Sequence, residues 1–114
     1  MHETMVAQNL LVTISAEAAK QNAKPVNARI SCGKLHAISD ELLVFAFEAI
    51  AKGTDCEGMK LQIEQKPIRG LCKNCNRSFD VELHRMHCTQ CGSEDFELLP
   101  DAPLVLEEIE FQTE

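Results

Sequence analysis

The chain has 114 residues, 45% hydrophobic and 25% charged, the balance of an ordinary globular protein with room for one modest core. Its formal net charge is −7, and residues 101–114 hold five acids and no base. No segment carries the basic footprint that phosphate neutralisation requires, which argues against a nucleic-acid partner, and no apolar run approaches the ~18 residues of a membrane span. The opening Met1-His2-Glu3 has neither a basic stretch nor a cleavable apolar one, so a cytoplasmic chain without a signal peptide is expected. In that compartment the six cysteines are expected as thiols, and metal binding is the first reading for any that cluster.

Glu3 to about Asn22 reads as a helix. Val6, Leu10, Ile14 and Ala18 recur every four residues, with Met5, Ala7 and Leu11 widening the stripe. Lys20 suits the negative end of the helix dipole, and Pro25 stops any continuation. Val26 to Cys32 reads as a strand with Val26, Ala28, Ile30 and Cys32 on one face, punctuated by Gly33. Ser39 is a good N-cap, followed by two acids in the first turn of a second helix. That helix carries Leu42, Leu43, Phe45, Phe47 and Ile50, and so apolar a segment is expected to be largely buried, with Gly53 as its C-cap. Met59 to Glu64 alternates like a second strand. Leu104 to Phe111 reads as a last strand, with Leu104, Leu106 and either Ile109 or Phe111 facing the core. It is expected to return to the first sheet, which makes the main domain discontinuous.

Between those last two strands lie Cys72-Lys73-Asn74-Cys75 and, twelve residues later, Cys88-Thr89-Gln90-Cys91. Each CxxC hook turns two sulfurs toward one point, and two hooks supply four thiolates, the set that suits tetrahedral zinc. Four protein ligands leave no open position, so this zinc is expected to be structural rather than catalytic. The segment 67–100 is too short to bury a core of its own, and a bound zinc would offset that deficit by about 10–16 kcal/mol. Cys32 and Cys56 stand alone and read as buried thiols. His36, His84 and His87 read as loop histidines.

The N-terminus offers a second ligand set. A free amine, the next backbone amide nitrogen and the His2 imidazole can close fused chelate rings around one ion, and the Glu3 amide can complete a four-nitrogen plane. Nickel(II) favours that square-planar nitrogen geometry.

With Met1-His2-Glu3, the strand ending at Gly33, the block Leu42-Leu43-Val44-Phe45-Ala46-Phe47-Glu48, Gly53-Thr54, Glu57-Gly58 and both CxxC hooks, the chain resembles the HypA/HybF family of hydrogenase maturation nickel metallochaperones. The resemblance covers nearly the whole length. It implies a nickel site at Met1, His2 and Glu3, with His2 essential, and structural zinc on Cys72, Cys75, Cys88 and Cys91. It implies work alongside the GTPase HypB in loading the large subunit of [NiFe]-hydrogenase. Some family members also serve urease, which would add urease accessory proteins as partners; a homodimer is compatible with either role. The implied fold is α+β. Residues 1–66 and 101–114 would form a nickel-binding domain, a small three-stranded mixed sheet with two helices. Residues 67–100 would form an inserted zinc ribbon with four cysteine ligands. Two departures stand out. Pro100-Asp101-Ala102-Pro103 replaces the family's glycine-containing turn and puts the ribbon's angle in question. Asp40, where a carboxylate ligand has been suggested in some relatives, reads here as a first-turn acid outside the nickel site.

The alternative is a zinc-ribbon module that binds nucleic acid or protein without delivering nickel. It shares the cysteines but lacks positive charge, and its aromatic side chains are only Phe79 and Phe96. Iron on the same four sulfurs would colour the protein. An enzyme is not expected: no nucleophile–base pair, no Gly-rich phosphate loop and no open catalytic metal site is evident.

Overall fold

The computed structural model describes residues 2–112. Helix α1 spans Glu3–Gln21 and buries Val6, Ala7, Leu10, Ile14 and Ala18, the stripe that its spacing predicts. Asn22 ends it in the left-handed region (φ 49°), a conformation that Asn tolerates better than most residues.

Strand β1 (Pro25–Gly33) is the centre of a three-stranded sheet. Strand β2 (Lys60–Lys66) runs parallel to it on one side, and β6 (Val105–Phe111) runs antiparallel on the other. The sheet is therefore mixed, and the last strand does return to the first. Two β-bulges set which side chains face inward. Pro25 pairs with Phe111 and Asn27 with Glu110, so Val26 is an extra residue on β1. It turns outward and is 38% exposed, contrary to its expected place on the buried face. Arg29 pairs with Glu108 and Ile30 with Leu106, so Glu107 is an extra residue on β6. Leu106 and Ile109, three apart, could not share a face of a regular strand. The bulge restores the phase, and both pack on the core. Glu107 in turn accepts a hydrogen bond from the buried Ser31 hydroxyl at 2.7 Å.

A short 3-10 turn (Lys34–His36) leads toward α2 (Asp40–Ala51). Ser39 caps α2, its hydroxyl accepting from the Leu42 N–H at 3.3 Å. The capping position at the far end is Lys52, with Gly53 one residue beyond at φ 78°. This helix is not largely buried. Leu43, Phe47 and Ala51 enter the core, while Leu42 and Phe45 are 57% and 71% exposed. The reason is that α2 packs on one side only, against α1 and the sheet, so its hydrophobicity exceeds what one buried stripe can use.

Only Pro67 separates β2 from β3 (Ile68–Cys72), which lies between β4 (Ser78–Val81) and β5 (Phe96–Leu98) in a second, antiparallel sheet. This sheet has its own small apolar cluster around Phe79 and Val81, with Ile68 and Phe96 against it. The Phe79 and Phe96 rings meet edge to face at 5.2 Å. Gly70 leaves them room, since a Cβ there would press on Val81, Phe96 and Phe79.

The return strap, residues 100–103, is pinned to the first sheet. The Ala102 carbonyl accepts from the Gly33 N–H at 3.0 Å and from His36 Nε2 at 2.9 Å. The Asp101 carboxylate lies against the Gly33 backbone, where a Cβ would collide with it. The stretch 100–103, which replaces the family's glycine-containing turn, is thus fixed to the end of β1 by specific contacts. No described helix is long and apolar enough to cross a membrane.

Candidate metal centre

The two hooks have the same backbone. Cys72 N–H donates to Arg77 O and Asn76 N–H to Cys72 O, each at 2.9 Å; Cys88 N–H donates to Ser93 O and Gly92 N–H to Cys88 O, also at 2.9 Å. Asn76 and Gly92, each one residue past a hook, both have positive φ (60° and 78°). Each chain segment therefore folds back on itself over its two cysteines. The four Sγ atoms all lie within 4.8 Å of one another, with Cys72–Cys91 at 3.5 Å and Cys75–Cys88 at 3.7 Å. Zinc–sulfur bonds of about 2.3 Å in a tetrahedron require edges of roughly 3.8 Å, so the donor set and its spacing fit zinc. Among the described residues this is the sole group of three or more His, Cys, Asp or Glu gathered closely enough to hold an ion.

Burial is graded across the site. Cys72 and Cys88 are buried, Cys75 is half-buried and Cys91 is exposed. Backbone N–H groups of Cys75 and Gln90 point at Cys72 Sγ and Cys88 Sγ at 3.5 and 3.4 Å. The Asn74 side-chain amide crosses from the first hook to Cys91 Sγ at 3.6 Å. That amide, with the Ser93 N–H, pulls the Cys91 thiol down to about 6. Although an Arg77 backbone contact opposes it, desolvation and the three neighbouring sulfurs push Cys75 up to about 11. The four sulfurs are too close to ionise together without a cation among them, so the protons divide unequally. A divalent ion would remove that conflict by making all four thiolates.

At the other end of the chain, His2 is the exposed N-cap of α1, in extended conformation (φ −93°, ψ 136°), and its side chain makes no capping bond. The helical ladder begins with Val6 N–H to His2 O at 3.1 Å. The Glu3 N–H lies ahead of that ladder, outside the intrahelical bonds, and faces its own carboxylate. The Glu3 carboxylate accepts the Ser39 N–H at 2.9 Å. Ser39 and the Glu3 amide hold this carboxyl below the usual carboxylate range, with the His2 charge a lesser contribution. Met1, the third residue expected here, lies outside the described residues. Asp40 accepts from Gln65 Nε2 at 2.7 Å.

The remaining candidates have local partners. Cys32 lies 3.9 Å from Gln65 Oε1, and Cys56 lies 3.6 Å from Ser15 Oγ; both are buried. His84 is exposed beside Glu82 at 2.9 Å, and His87 is half-buried. His36 holds the strap. Sequence reasoning did not find Asn74, Asp101 or the Glu3–Ser39 bond. Only Asn74 left a trace, as a polar residue inside a hook.

The family described as "Hydrogenase/urease nickel incorporation, metallochaperone, hypA" matches residues 1–111. A hydrogenase maturation factor HypA from Syntrophus aciditrophicus (strain SB) is 38% identical over 96 residues, 83% of this chain and 84% of that protein. Its namesake from Azotobacter vinelandii is 33% identical over 113 residues, 98% of this chain and 100% of that one. The solution structure of the Ni metallochaperone HypA from Helicobacter pylori superposes with a TM-score of 0.63 at 26% identity over 100% of both chains. A second HypA solution structure gives 0.69 at 25% identity over 100% of this chain and 98% of that one. This chain belongs to the HypA family of hydrogenase and urease nickel metallochaperones, which are maturation factors and not enzymes.

Proposed function

We propose that this chain carries nickel(II) at its N-terminus on the Met1 amine, the His2 amide and imidazole, and the Glu3 amide, and delivers it during [NiFe]-hydrogenase maturation. The observation that carries the reading is His2: an exposed imidazole with no capping duty, at a helix start where the next N–H has no place in the ladder. An amide nitrogen must lose its proton to bind nickel, and here that loss breaks no helical hydrogen bond. Nickel is cargo on this reading. A site at the chain terminus lets a partner replace its ligands one at a time. Binding displaces protons, so acid favours release.

The same proposal gives Cys72, Cys75, Cys88 and Cys91 a resident zinc. When bound, zinc supplies a closed tetrahedral cross-link and no reactive position. The chain's own part is to converge the hooks and pack Phe79 and Phe96 beside them. Residues 1–66 and 101–114 then make the nickel-binding domain and 67–100 the ribbon, each with its own sheet and apolar cluster in support. The partners proposed are the GTPase HypB, the hydrogenase large subunit and, where urease is served, its accessory proteins, all in the cytoplasm.

The test is a nickel titration of the chain with its native amine against one carrying extra residues ahead of Met1. Tight binding is expected only in the first. Equal binding by both would overturn the terminal site.

A further inference from the structure

Cys91 differs from the other three sulfurs in two ways. It is the exposed one, and the side chain that donates to it comes from the opposite hook. Cys72 and Cys88 receive backbone N–H groups of their own hooks, which any residue could supply. Cys91 has a backbone donor too, the Ser93 N–H, but its second donor is Asn74 Nδ2 at 3.6 Å, which depends on the residue at that position.

We propose that Asn74 is a positioning residue of the zinc centre, holding the exposed Cys91 thiolate in place and guarding the corner of the tetrahedron most open to solvent. This rests on the zinc reading above. A thiolate must turn away from its metal before a competing ion, chelator or electrophile can take it. An N–H donor on the sulfur lowers its nucleophilicity, and a donor anchored in the other hook also resists the turning motion. Cys72 and Cys88 need no such guard because packing already shields them. The guard matters in a nickel carrier, since a foreign divalent ion invading its thiolates would begin at the exposed sulfur.

The experiment uses the full zinc-loaded chain. Site-resolved mass spectrometry follows alkylation of each cysteine by iodoacetamide, and a chromophoric chelator follows zinc loss. Asn74→Leu keeps the side chain's size and removes the donor; Asn74→Gln keeps a donor. In Asn74→Leu, Cys91 is expected to react about tenfold faster, in line with the usual weight of groups that support metal ligands. Zinc loss should quicken with it, Cys72, Cys75 and Cys88 should still react after Cys91, and Asn74→Gln should recover much of the protection. An unchanged Cys91 rate in zinc-loaded Asn74→Leu overturns the proposal, as does equal acceleration of all four cysteines. Metal analysis of the wild-type chain comes first: absence of zinc there overturns the zinc reading, and this one with it.

Discussion

Glu3 Oε2 accepts the backbone N–H of Ser39 at 2.9 Å. The first residue of α1 is thereby tied to the residue that caps α2, and the terminus proposed to carry nickel is held against the second helix.

That bond titrates. The Glu3 carboxyl lies below its ordinary 4.5, chiefly because the Ser39 N–H favours the charged form. A group with a depressed folded pKa contributes stability above its unfolded value and loses it as pH falls through the folded one. The contact is therefore complete at neutral pH and lost in acid below 4.5. The Ser39 amide resonance should report a titration in that range, and Glu3→Gln should abolish the titration while keeping an acceptor.

His2→Ala should remove tight nickel binding and leave the rest of the molecule alone. His2 is exposed and caps nothing with its side chain, so stability should change by no more than about 0.5 kcal/mol. Calorimetric nickel titration and thermal unfolding of the same samples check both halves.

Phe45 and Phe47 stand two apart on one helix but face different surroundings, at 71% and 1% exposure. Phe47→Ala should cost about 3–5 kcal/mol through a core cavity. Phe45→Ser should be nearly neutral, within about 0.5 kcal/mol. Denaturant unfolding of the two variants separates the faces of α2.

With the proposed zinc in place, its chelation, or Cys72→Ser, should melt β3, β4 and β5 while α1, α2 and the first sheet persist. The ribbon's buried cluster is mostly two cysteines, Phe79 and Val81, too little to hold without the roughly 10–16 kcal/mol of a structural zinc. NMR should show loss of dispersion for Phe79 and Val81 with Ile14 and Ile30 unchanged.

Gly33→Ala would drive a Cβ into the Asp101 carboxylate. We expect a loss of about 1–3 kcal/mol from this overpacking, and a ribbon that tumbles more independently by 15N relaxation. Asp101→Ala in the same chain should restore most of it, because the two changes share one contact. Asp101→Ala alone should cost little: among the described residues its carboxylate accepts no hydrogen bond, and His36 Nε2, 3.7 Å away, is hydrogen-bonded to Ala102 O instead.

Much of this was legible in the sequence, and the failures have physical causes. The stripe of Val6, Leu10, Ile14 and Ala18 reports burial because a helix turns at a constant rate. The cysteine spacing reports a metal cluster because a CxxC hook closes locally. Val26 misled because a bulge breaks the two-residue period, and Glu107 hid the shared face of Leu106 and Ile109 for the same reason. Phe45 misled because apolar content does not say which side of a helix finds a neighbour. Glu3–Ser39, Asn74–Cys91 and Gly33–Asp101 join positions far apart in the chain, and no local pattern encodes them.

The inserted ribbon departs from β2 on one edge of the first sheet and comes back to β6 on the other, straddling β1. Both attachments are at the Gly33 end, two inter-strand spacings apart, or roughly 10 Å. About three extended residues span that gap, and one or two more let the bridge clear the chain leaving β1 for Lys34–His36. A miniature in which such a bridge replaces the whole insertion should therefore close without strain, yielding a stripped nickel carrier in which delivery can be assayed with the thiolates gone.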